Sequence, residues 1–317
     1  MSEFLPSPFR SHLRDASQPL SPSIPCSRRN FLTLSSLLLS GAHLQAQQPT
    51  TATSAASWPK QSVQHGFVLS VQSYTLRDFN IFEAIERVGQ TGASAIEIWD
   101  GHPVEDKIKV SGMNAEQTNQ LLKTLSRNNI RVSGMYAGIP KDEAGAERIF
   151  NRAKELGVYS LITESVDAID VTEKMAATYD IRVGYHGHPK STKSEYKLWN
   201  PEYLLDLLKD RDPRLGVCLD IGHQASSGLV PLESLRILKN RVHGLHIKDR
   251  AVIGRASEDI ACGTGILDIA GILKELKSMD FRGCLTVEFE AHLGNNLTDI
   301  AQYIGFMRGV GATLELK

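Results

Sequence analysis

Eight strand-like segments alternate with helix-like segments along most of this chain, and that alternation is the strongest constraint on its fold. Each strand candidate is a short run rich in β-branched, aromatic and aliphatic residues, and the stretches between them carry apolar residues at helical spacing. The strand candidates are Phe67–Tyr74, Ser94–Trp99, Ile130–Tyr136, Ser160–Glu164, Arg182–His188, Leu215–Ile221, Val242–Asp249 and Leu285–Glu290. Eight such units in one domain predict an α/β fold, a single (β/α)8 TIM barrel.

The helix candidates have recognisable start signals. Asn114 is followed by Gln117 at the capping-box distance, Pro201 stands at a first helical position, and Asp268 precedes the last long helix. The clearest helix candidates are Ala115–Asn128, Glu143–Leu156, Pro201–Lys209 and Ile269–Met279. The segment Asp167–Asp180 is short for a full crossover helix, so the fourth unit has the weakest pattern.

A doubly wound open sheet is the alternative architecture. Such a sheet usually carries a Gly-rich turn after its first strand. Here the corresponding residues, 74–78, read Tyr-Thr-Leu-Arg-Asp, which favours the barrel.

The N-terminal segment has a different character from the rest. Arg28 and Arg29 precede an apolar run at residues 33–42, which has the length of a secretory h-region and is too short to span a membrane. Ala46 offers a small residue at the cleavage position. We therefore expect a signal peptide at residues 1–46, a linker at 47–62 and the barrel at 63–317.

The motif Ser-Arg-Arg-Asn-Phe-Leu at residues 27–32 resembles a bacterial twin-arginine signal. That resemblance implies export to the periplasm. The alternative is a disordered basic tail that contains a chance apolar stretch.

Charge and cysteine content exclude several classes of protein. The 317 residues include 35 Lys and Arg against 36 Asp and Glu, and the formal charge is −3 once residues 1–46 are removed. Without a basic surplus, nucleic-acid binding has no support. Four cysteines do not form a disulfide framework in a chain of this length, and no apolar run is long enough for stable membrane insertion.

Ionisable residues gather at the carboxyl ends of the last four strand candidates. Alternate strand residues share a face, so these side chains point into the barrel mouth, where catalytic groups of this fold lie. The residues are His186 and His188, Asp220 with His223 just beyond its strand, His246 and Lys248, and Glu288 and Glu290. Such groups are costly to bury unless they are paired or bind a metal.

We predict one divalent metal ion bound by His186, Asp220, His246 and Glu288. Mixed imidazole and carboxylate ligands suit Mn²⁺, Zn²⁺, Fe²⁺ or Co²⁺. The alternative is a purely structural polar layer.

At these positions the chain resembles the xylose isomerase-like TIM-barrel superfamily, the sugar phosphate isomerase/epimerase group. The resemblance covers about residue 67 to the C-terminus. The matching segments are Tyr185–Pro189, Leu219–His223, His246–Asp249, Gly263–Asp268 and Val287–Glu290.

The resemblance implies one divalent metal held from strands five to eight, at the four ligand positions already named. His186 stands where the family typically has a glutamate, which puts the two-glutamate proton transfer of ketose 3-epimerases in doubt for this chain. Glu164, at the end of the fourth strand, is a substitute whose face the sequence leaves open.

The expected reaction is proton abstraction next to the carbonyl of a keto sugar, through an enediolate. His188, Lys248 and Glu290 are the candidate catalytic residues, with His188 as general base and Lys248 as a partner for the oxyanion or in an ion pair with Asp249 or a neighbouring acid. The candidate substrate-binding residues are Glu97, Trp99 and His223.

Reprotonation of the enediolate gives an isomerase or epimerase, whereas loss of a β-substituent gives an exported dehydratase or lyase for 3-keto-glycosides or inosose-like substrates. A non-catalytic sugar-binding barrel is a third alternative. The expected partners are a small sugar and, if the chain oligomerises, further copies of itself.

The segment Gly263-Thr264-Gly265 has two possible roles. It could cradle a phosphate at a helix start, or form a turn into the last helix before the final strand. The turn is the simpler interpretation.

Overall fold

Eight parallel strands close into a barrel in the computed structural model, which describes residues 58–191, 195–254 and 258–316. The strands are β1 (Val68–Gln72), β2 (Ala95–Trp99), β3 (Arg131–Tyr136), β4 (Ser160–Thr163), β5 (Arg182–His186), β6 (Leu215–Asp220), β7 (Val242–Ile247) and β8 (Cys284–Val287). Each pairs in parallel with its neighbours in the ring, and β8 closes on β1. The predicted single (β/α)8 TIM barrel is confirmed.

The predicted signal peptide, residues 1–46, lies outside the described residues.

Helices connect the strands around the outside of the barrel. They are α1 (Ile81–Thr91), α2 (Ala115–Arg127), α3 (Glu143–Leu156), α4 (Ile169–Tyr179), α5 (Pro201–Leu208), α6 (Ile221–Ser226), α7 (Pro231–Leu238), α8 (Ile269–Ser278) and α9 (Leu297–Glu315). The fourth unit is complete: α4 has 11 residues and follows a 3-10 turn at Val166–Ala168. The fourth unit therefore has a full crossover helix, although its sequence pattern is the weakest of the eight.

The predicted helix starts are present as caps. Asn114 and Gln117 form a reciprocal capping box, and Pro201 is the first residue of its helix. The Asp268 carboxylate accepts a hydrogen bond of 2.8 Å from the backbone N–H of Gly271. Each cap satisfies backbone N–H groups that the first helical turn leaves unpaired.

Six of the eight strands end one to three residues sooner than the sequence pattern predicts, and β5 and β8 show what replaces the strand pairing. The backbone N–H of His188 donates to the Tyr196 hydroxyl, and that of Glu290 donates to Asp259, instead of to a neighbouring strand. Both residues therefore stand beyond the barrel strands, in the loops that form its mouth.

The end of the predicted linker at residues 47–62 belongs to the fold. The Trp58 ring stacks on Tyr159 with centroids 5.2 Å apart, and the Ser94 hydroxyl donates to the backbone carbonyl of Ser62 at 2.7 Å. These contacts fix the chain against the barrel before β1.

Among the described residues, no helix has both the length and the apolar character that a membrane crossing requires.

Candidate metal centre and its surroundings

The strand register brings residues of β5 to β8 together at the mouth of the barrel. His186 is level with the residue two before Asp220, and Asp220 is level with His246. His246 is level with Thr286, two residues before Glu288. Because parallel strands in a barrel are staggered, the four predicted ligands come from different heights of their strands to one place.

Four side chains at this place offer ligand atoms that all lie within 4.8 Å of one another: His186, Asp220, His246 and Glu288. All four residues are buried. His246 Nδ1 lies 3.1 Å from Glu288 Oε2 and 3.8 Å from Asp220 Oδ2, and His186 Nε2 lies 3.7 Å from Asp220 Oδ2. The structure therefore brings the four predicted metal ligands together.

Two of these atoms are unsatisfied. His186 Nε2 and Asp220 Oδ2 are buried and make no hydrogen bond to any residue in the described ranges. Buried polar atoms of this kind normally have a partner, and an imidazole nitrogen beside carboxylate oxygens suits a divalent cation. The residues present thus fit the predicted ion.

The charge of the surroundings agrees with that fit. We call the following group the mouth cluster: Glu97, Glu164, His186, Asp220, His246, Lys248, Glu288 and Glu290. Within it, five carboxylates face one ammonium group, and buried charge of one sign is costly unless a cation balances it. A divalent ion would offset half of this excess of four negative charges.

Lys248 lies within the acids of this cluster. Its Nζ is 2.6 Å from Glu290 Oε1, 3.0 Å from Glu288 Oε2 and 3.4 Å from Asp220 Oδ2. Burial acts to lower the pKa of Lys248, but these carboxylates outweigh it and hold the pKa well above the usual range. The structure favours the ion-pair alternative for this residue, and its partners are these three acids rather than Asp249.

Glu164 points into the mouth and connects several polar side chains. Its Oε1 lies 2.6 Å from His188 Nδ1, 3.4 Å from His186 Nδ1 and 2.5 Å from the Tyr136 hydroxyl, while its Oε2 accepts from Tyr196 at 3.1 Å. Burial acts to raise the pKa of Glu164, but hydrogen bonds from His186, His188 and Tyr136 hold it below its usual range. The face that the sequence left open is therefore the inner one.

His188 is the accessible member of this group. Its side chain is 56% exposed, and its ring packs 5.1 Å from both the His186 and the His223 rings, measured between centroids. It is placed as the predicted general base requires, beside the candidate metal ligands and open to the mouth.

Glu97 is buried beside the candidate ligand His246. Its side chain is 4% exposed, and its Oε1 lies 2.8 Å from His246 Nε2 and 3.0 Å from Gln72 Nε2. These contacts occupy one oxygen of the carboxylate and favour a supporting role for Glu97, so its contact with sugar hydroxyls stays a prediction. Trp99, in contrast, is half-buried and packs edge-to-face on Tyr74 at 5.1 Å.

His223 supports Asp220 instead of lining an open surface. Its backbone N–H donates to Asp220 Oδ1 at 2.7 Å, and its Nε2 lies 3.5 Å from Asp220 Oδ2. Burial lowers the pKa of His223 to about 3 in spite of the nearby carboxylate, so the imidazole is neutral. The ring therefore lies where it supports Asp220, and the predicted contact of His223 with substrate stays a prediction.

The Gly263-Thr264-Gly265 segment forms a turn. The Asp249 carboxylate accepts the backbone N–H groups of Gly263 at 2.9 Å and Gly265 at 3.0 Å. These donors are occupied within the chain, so the segment has no role as a phosphate cradle.

Three further residues belong to the site and were not predicted from the sequence. Tyr136 ends β3 and could have been found by the strand-end argument that identified the histidines. Gln72 ends β1 in the same way. Tyr196 lies in the loop before α5 and carries no periodic signal.

Several solved structures share the fold of this chain at low sequence identity. 3-keto-D-glucoside 4-epimerase YcjR from E. coli is 13% identical, with 77% of this chain and 99% of that chain covered and a TM-score of 0.59. The probable 3-DHS dehydratase AsbF from Bacillus anthracis is 17% identical, with 78% and 98% covered and a TM-score of 0.59. A xylose isomerase-like TIM barrel protein from Mycobacterium smegmatis in complex with magnesium is 12% identical, with 78% and 98% covered and a TM-score of 0.63.

Sequence comparison places the chain in a family. An uncharacterized protein of Methanocaldococcus jannaschii is 26% identical over 133 residues, which are 41% of this chain and 44% of that relative, so the chain spans less than half of it. The family model described as xylose isomerase-like TIM barrel matches residues 85–310, most of the barrel. The chain therefore belongs to the xylose isomerase-like TIM barrel family.

Proposed function

We propose that this chain is a divalent-metal-dependent isomerase or epimerase that acts on a keto sugar by proton abstraction next to the carbonyl. One observation carries the proposal: ligand atoms of His186, Asp220, His246 and Glu288 lie within 4.8 Å of one another at the barrel mouth. His186 Nε2 and Asp220 Oδ2 are buried without a hydrogen bond to any described residue, which supports a cation at that place.

These four residues would hold the ion. When bound, a divalent cation supplies Lewis-acid polarisation of a carbonyl and favours the anionic form of the sugar. The metal would be Mn²⁺, Zn²⁺, Fe²⁺ or Co²⁺ by the chemistry of the ligand set.

The chain's own residues supply the proton transfer. His188 removes the proton, because its exposed ring faces the mouth while Glu164 holds Nδ1 at 2.6 Å. That contact leaves Nε2 as the nitrogen that exchanges the proton with substrate. Trp99 offers a half-buried ring for the apolar face of the sugar.

Lys248 and Glu290 act together at the other side of the site. Their contact at 2.6 Å keeps a protonated amine beside Glu288 while Glu290 stays at the edge of solvent. The pair balances the charge that develops during the reaction and supplies a route by which a proton returns.

Elimination is the second candidate, since the same proton abstraction precedes loss of a β-substituent. Two fold neighbours, one described as a 3-keto-D-glucoside 4-epimerase and one as a probable 3-DHS dehydratase, illustrate the two outcomes on this barrel. A non-catalytic sugar-binding barrel would bind sugars without turnover.

We also propose that the protein is exported. The paired arginines at 28 and 29, the apolar run that follows them and Ala46 support a signal peptide. Fusion of residues 1–46 to a reporter enzyme that works only in the periplasm tests this, with Arg28→Lys and Arg29→Lys as the diagnostic pair. Reporter activity that survives the paired substitution contradicts a twin-arginine route.

Elemental analysis of purified protein tests the metal site. We expect about one divalent ion per chain in the wild type and a loss of most of it in Asp220→Ala and in His246→Ala. Asp206→Ala is the matched control, because Asp206 lies exposed on α5, paired with Lys209. Undiminished metal in both site variants contradicts the proposal.

Turnover on keto sugars and 3-keto-glycosides in D₂O then separates the reactions. Deuterium incorporation without loss of a substituent indicates isomerisation or epimerisation, and release of a substituent indicates elimination. Saturable binding without either outcome, in metal-loaded protein, contradicts the enzyme and supports the sugar-binding alternative.

A further inference from the structure

A cavity opens beside the mouth cluster, and the reaction proposed above does not use it. It measures about 420 Å³ and is bounded by the loops that follow β3, β4 and β5. These loops lie at the carboxyl ends of the strands, on the same face of the barrel as the candidate metal ligands. We call it the side cavity.

The side cavity shares walls with the mouth cluster. Glu164 and Tyr196 line it, and both also contact the catalytic group, because the Tyr196 hydroxyl donates to Glu164 Oε2 and accepts from the backbone N–H of His188. A molecule that filled the side cavity would therefore lie one side chain away from the predicted general base. The two spaces are adjacent parts of one binding region.

The lining of the side cavity combines aromatic faces with groups of both charges. Tyr196 and Tyr203 supply rings, while Lys141 forms an ion pair of 2.9 Å with Asp167. Lys197 Nζ lies 5.7 Å from the centre of the Tyr203 ring. Rings that pack on C–H faces, together with charged groups that bind hydroxyls, suit a hydroxylated ring.

The balance of charge disfavours an anionic ligand. Three acids line the cavity, Glu164, Asp167 and Glu195, against the two lysines. Sites for phosphate groups instead concentrate positive charge or free backbone N–H donors. The occupant that this lining fits is uncharged.

We propose that the side cavity is a subsite for a second, uncharged sugar ring, so that the substrate is a glycoside rather than a sugar phosphate or a free monosaccharide. This inference rests on the proposed function for the position of the reacting ring. It adds a recognition site formed by Lys197 and Tyr203, outside the group that transfers the proton.

Titration calorimetry with unreactive probes tests the subsite without turnover. The probes are glucose, glucose 6-phosphate and four glucosyl-glucoses: cellobiose, maltose, gentiobiose and trehalose. We expect at least one disaccharide to bind wild-type protein about tenfold or more tightly than glucose, since a second ring adds contacts worth at least that factor.

Two variants remove the subsite separately. Tyr203→Ala and Lys197→Ala are each expected to bring the disaccharide affinity to within about threefold of glucose, a loss of about half or more of the second ring's contribution to the binding free energy. Tyr179→Ala and Lys154→Ala are the matched controls, because Lys154 Nζ lies 5.9 Å from the Tyr179 ring on α3 and α4, outside the cavity lining. These controls should keep the wild-type preference.

Three results would overturn the subsite: disaccharides that bind no tighter than glucose, tighter binding of glucose 6-phosphate, or equal weakening of all probes in the variants. The proposed function fails in a different way, through missing metal or missing turnover. A disaccharide preference that depends on Tyr203 would remain in that case, so the two failures can be told apart.

Discussion

Glu97 and His246 are 149 residues apart in the chain, yet Glu97 Oε1 lies 2.8 Å from His246 Nε2. A carboxylate accepts, so the tautomer with its proton on Nε2 donates to Glu97 and leaves Nδ1, which faces Asp220 and Glu288, free to bind an ion. This is the arrangement by which a buried acid fixes the tautomer of a histidine that binds metal. The contact makes Glu97 a positioning residue for the candidate ion.

Replacement of Glu97 by alanine should weaken metal binding by about 10- to 100-fold, the usual effect of losing such a partner. Glu97→Gln should weaken it less, because the amide oxygen still accepts from Nε2. Competition with a chelator of known affinity measures both. Glu86→Gln, at an exposed ion pair with Arg127, is the control. Equal affinity in Glu97→Ala and wild type would show that His246 needs no support.

Metal removal should lower the thermal stability of the barrel. The mouth cluster holds five carboxylates against Lys248, and a cation that binds only the folded state adds its binding free energy to stability. With the ion at a hundred times its Kd, that gain is about 2.7 kcal/mol, or roughly 5–10 °C in melting temperature for a domain of this size. Calorimetry before and after chelation measures the shift. The chelator should have almost no effect on Asp220→Ala, and an equal effect on both proteins would contradict the site.

Lys248→Met should destabilise the metal-free protein by about 3–5 kcal/mol, as expected when one partner of a buried charge group is removed. The side chain is fully buried, and its loss leaves Asp220, Glu288 and Glu290 without their ammonium. Urea unfolding gives the free energy. Lys123→Met, on the exposed face of α2, should change stability by less than about 0.5 kcal/mol. A small change in the unfolding free energy of Lys248→Met would contradict this, and would mean that the three neighbouring carboxyl groups are protonated in the metal-free protein.

Stability should fall as the pH is lowered from about 6.5 to 4 because buried histidines must stay neutral, including two that lie outside the candidate metal site. Burial lowers the pKa of His102 to about 4 and that of His243 to about 4. The unfolded chain binds these protons first, so stability is complete above pH 6.5 and is lost as the pH falls toward 4. Each residue contributes about 3 kcal/mol over that range.

Urea unfolding of chelated protein at several pH values measures this slope. His102→Gln should remove about half of the part that the two histidines contribute. An unchanged slope in that variant would show that His102 is protonated in the folded protein.

The eight-fold alternation was sufficient to predict the barrel, because strand and helix periods are properties of short segments. The alternation of strand faces identified the four candidate ligands from the sequence. In the structure, the stagger of the strands brings their side chains to one place. Glu164 was harder to assign, because it follows the last residue of β4 and no strand alternation fixes its direction.

The contacts that the sequence could not supply are those between distant segments. Glu97 was predicted to contact substrate, since its position near a strand end resembles that of the other residues of the mouth cluster. Its contact with His246 depends on the height of β2 relative to β7 along the barrel axis. The strand register of the whole barrel sets that height, and the sequence of neither strand reveals it. Tyr196 likewise reaches Glu164 from a loop, where no period exists.

The Glu164–His188 pair offers the sharpest test of the proton transfer. Glu164 holds His188 Nδ1 at 2.6 Å and is itself held by the hydroxyls of Tyr136 and Tyr196. If His188 removes the proton and Glu164 orients it, His188→Gln should lower kcat by about 10²–10⁴-fold, and Glu164→Gln should lower kcat with little change in KM. The double variant should be hardly worse than His188→Gln alone, because both substitutions remove one function.

Tyr196→Phe is the graded comparison, because it keeps the ring and removes the hydroxyl that donates to Glu164 and accepts from the backbone N–H of His188. It should reduce kcat less than Glu164→Gln does, since Glu164 keeps its contact with His188 Nδ1. Losses that multiply in the double variant would show that the two residues act independently. In that event Glu164, and not His188, becomes the stronger candidate for the base, since its carboxylate also lies 3.4 Å from the candidate ligand His186. The exchange of substrate hydrogen with D₂O decides between these outcomes, because a variant without a base loses exchange and turnover together, whereas a misoriented base retains slow exchange.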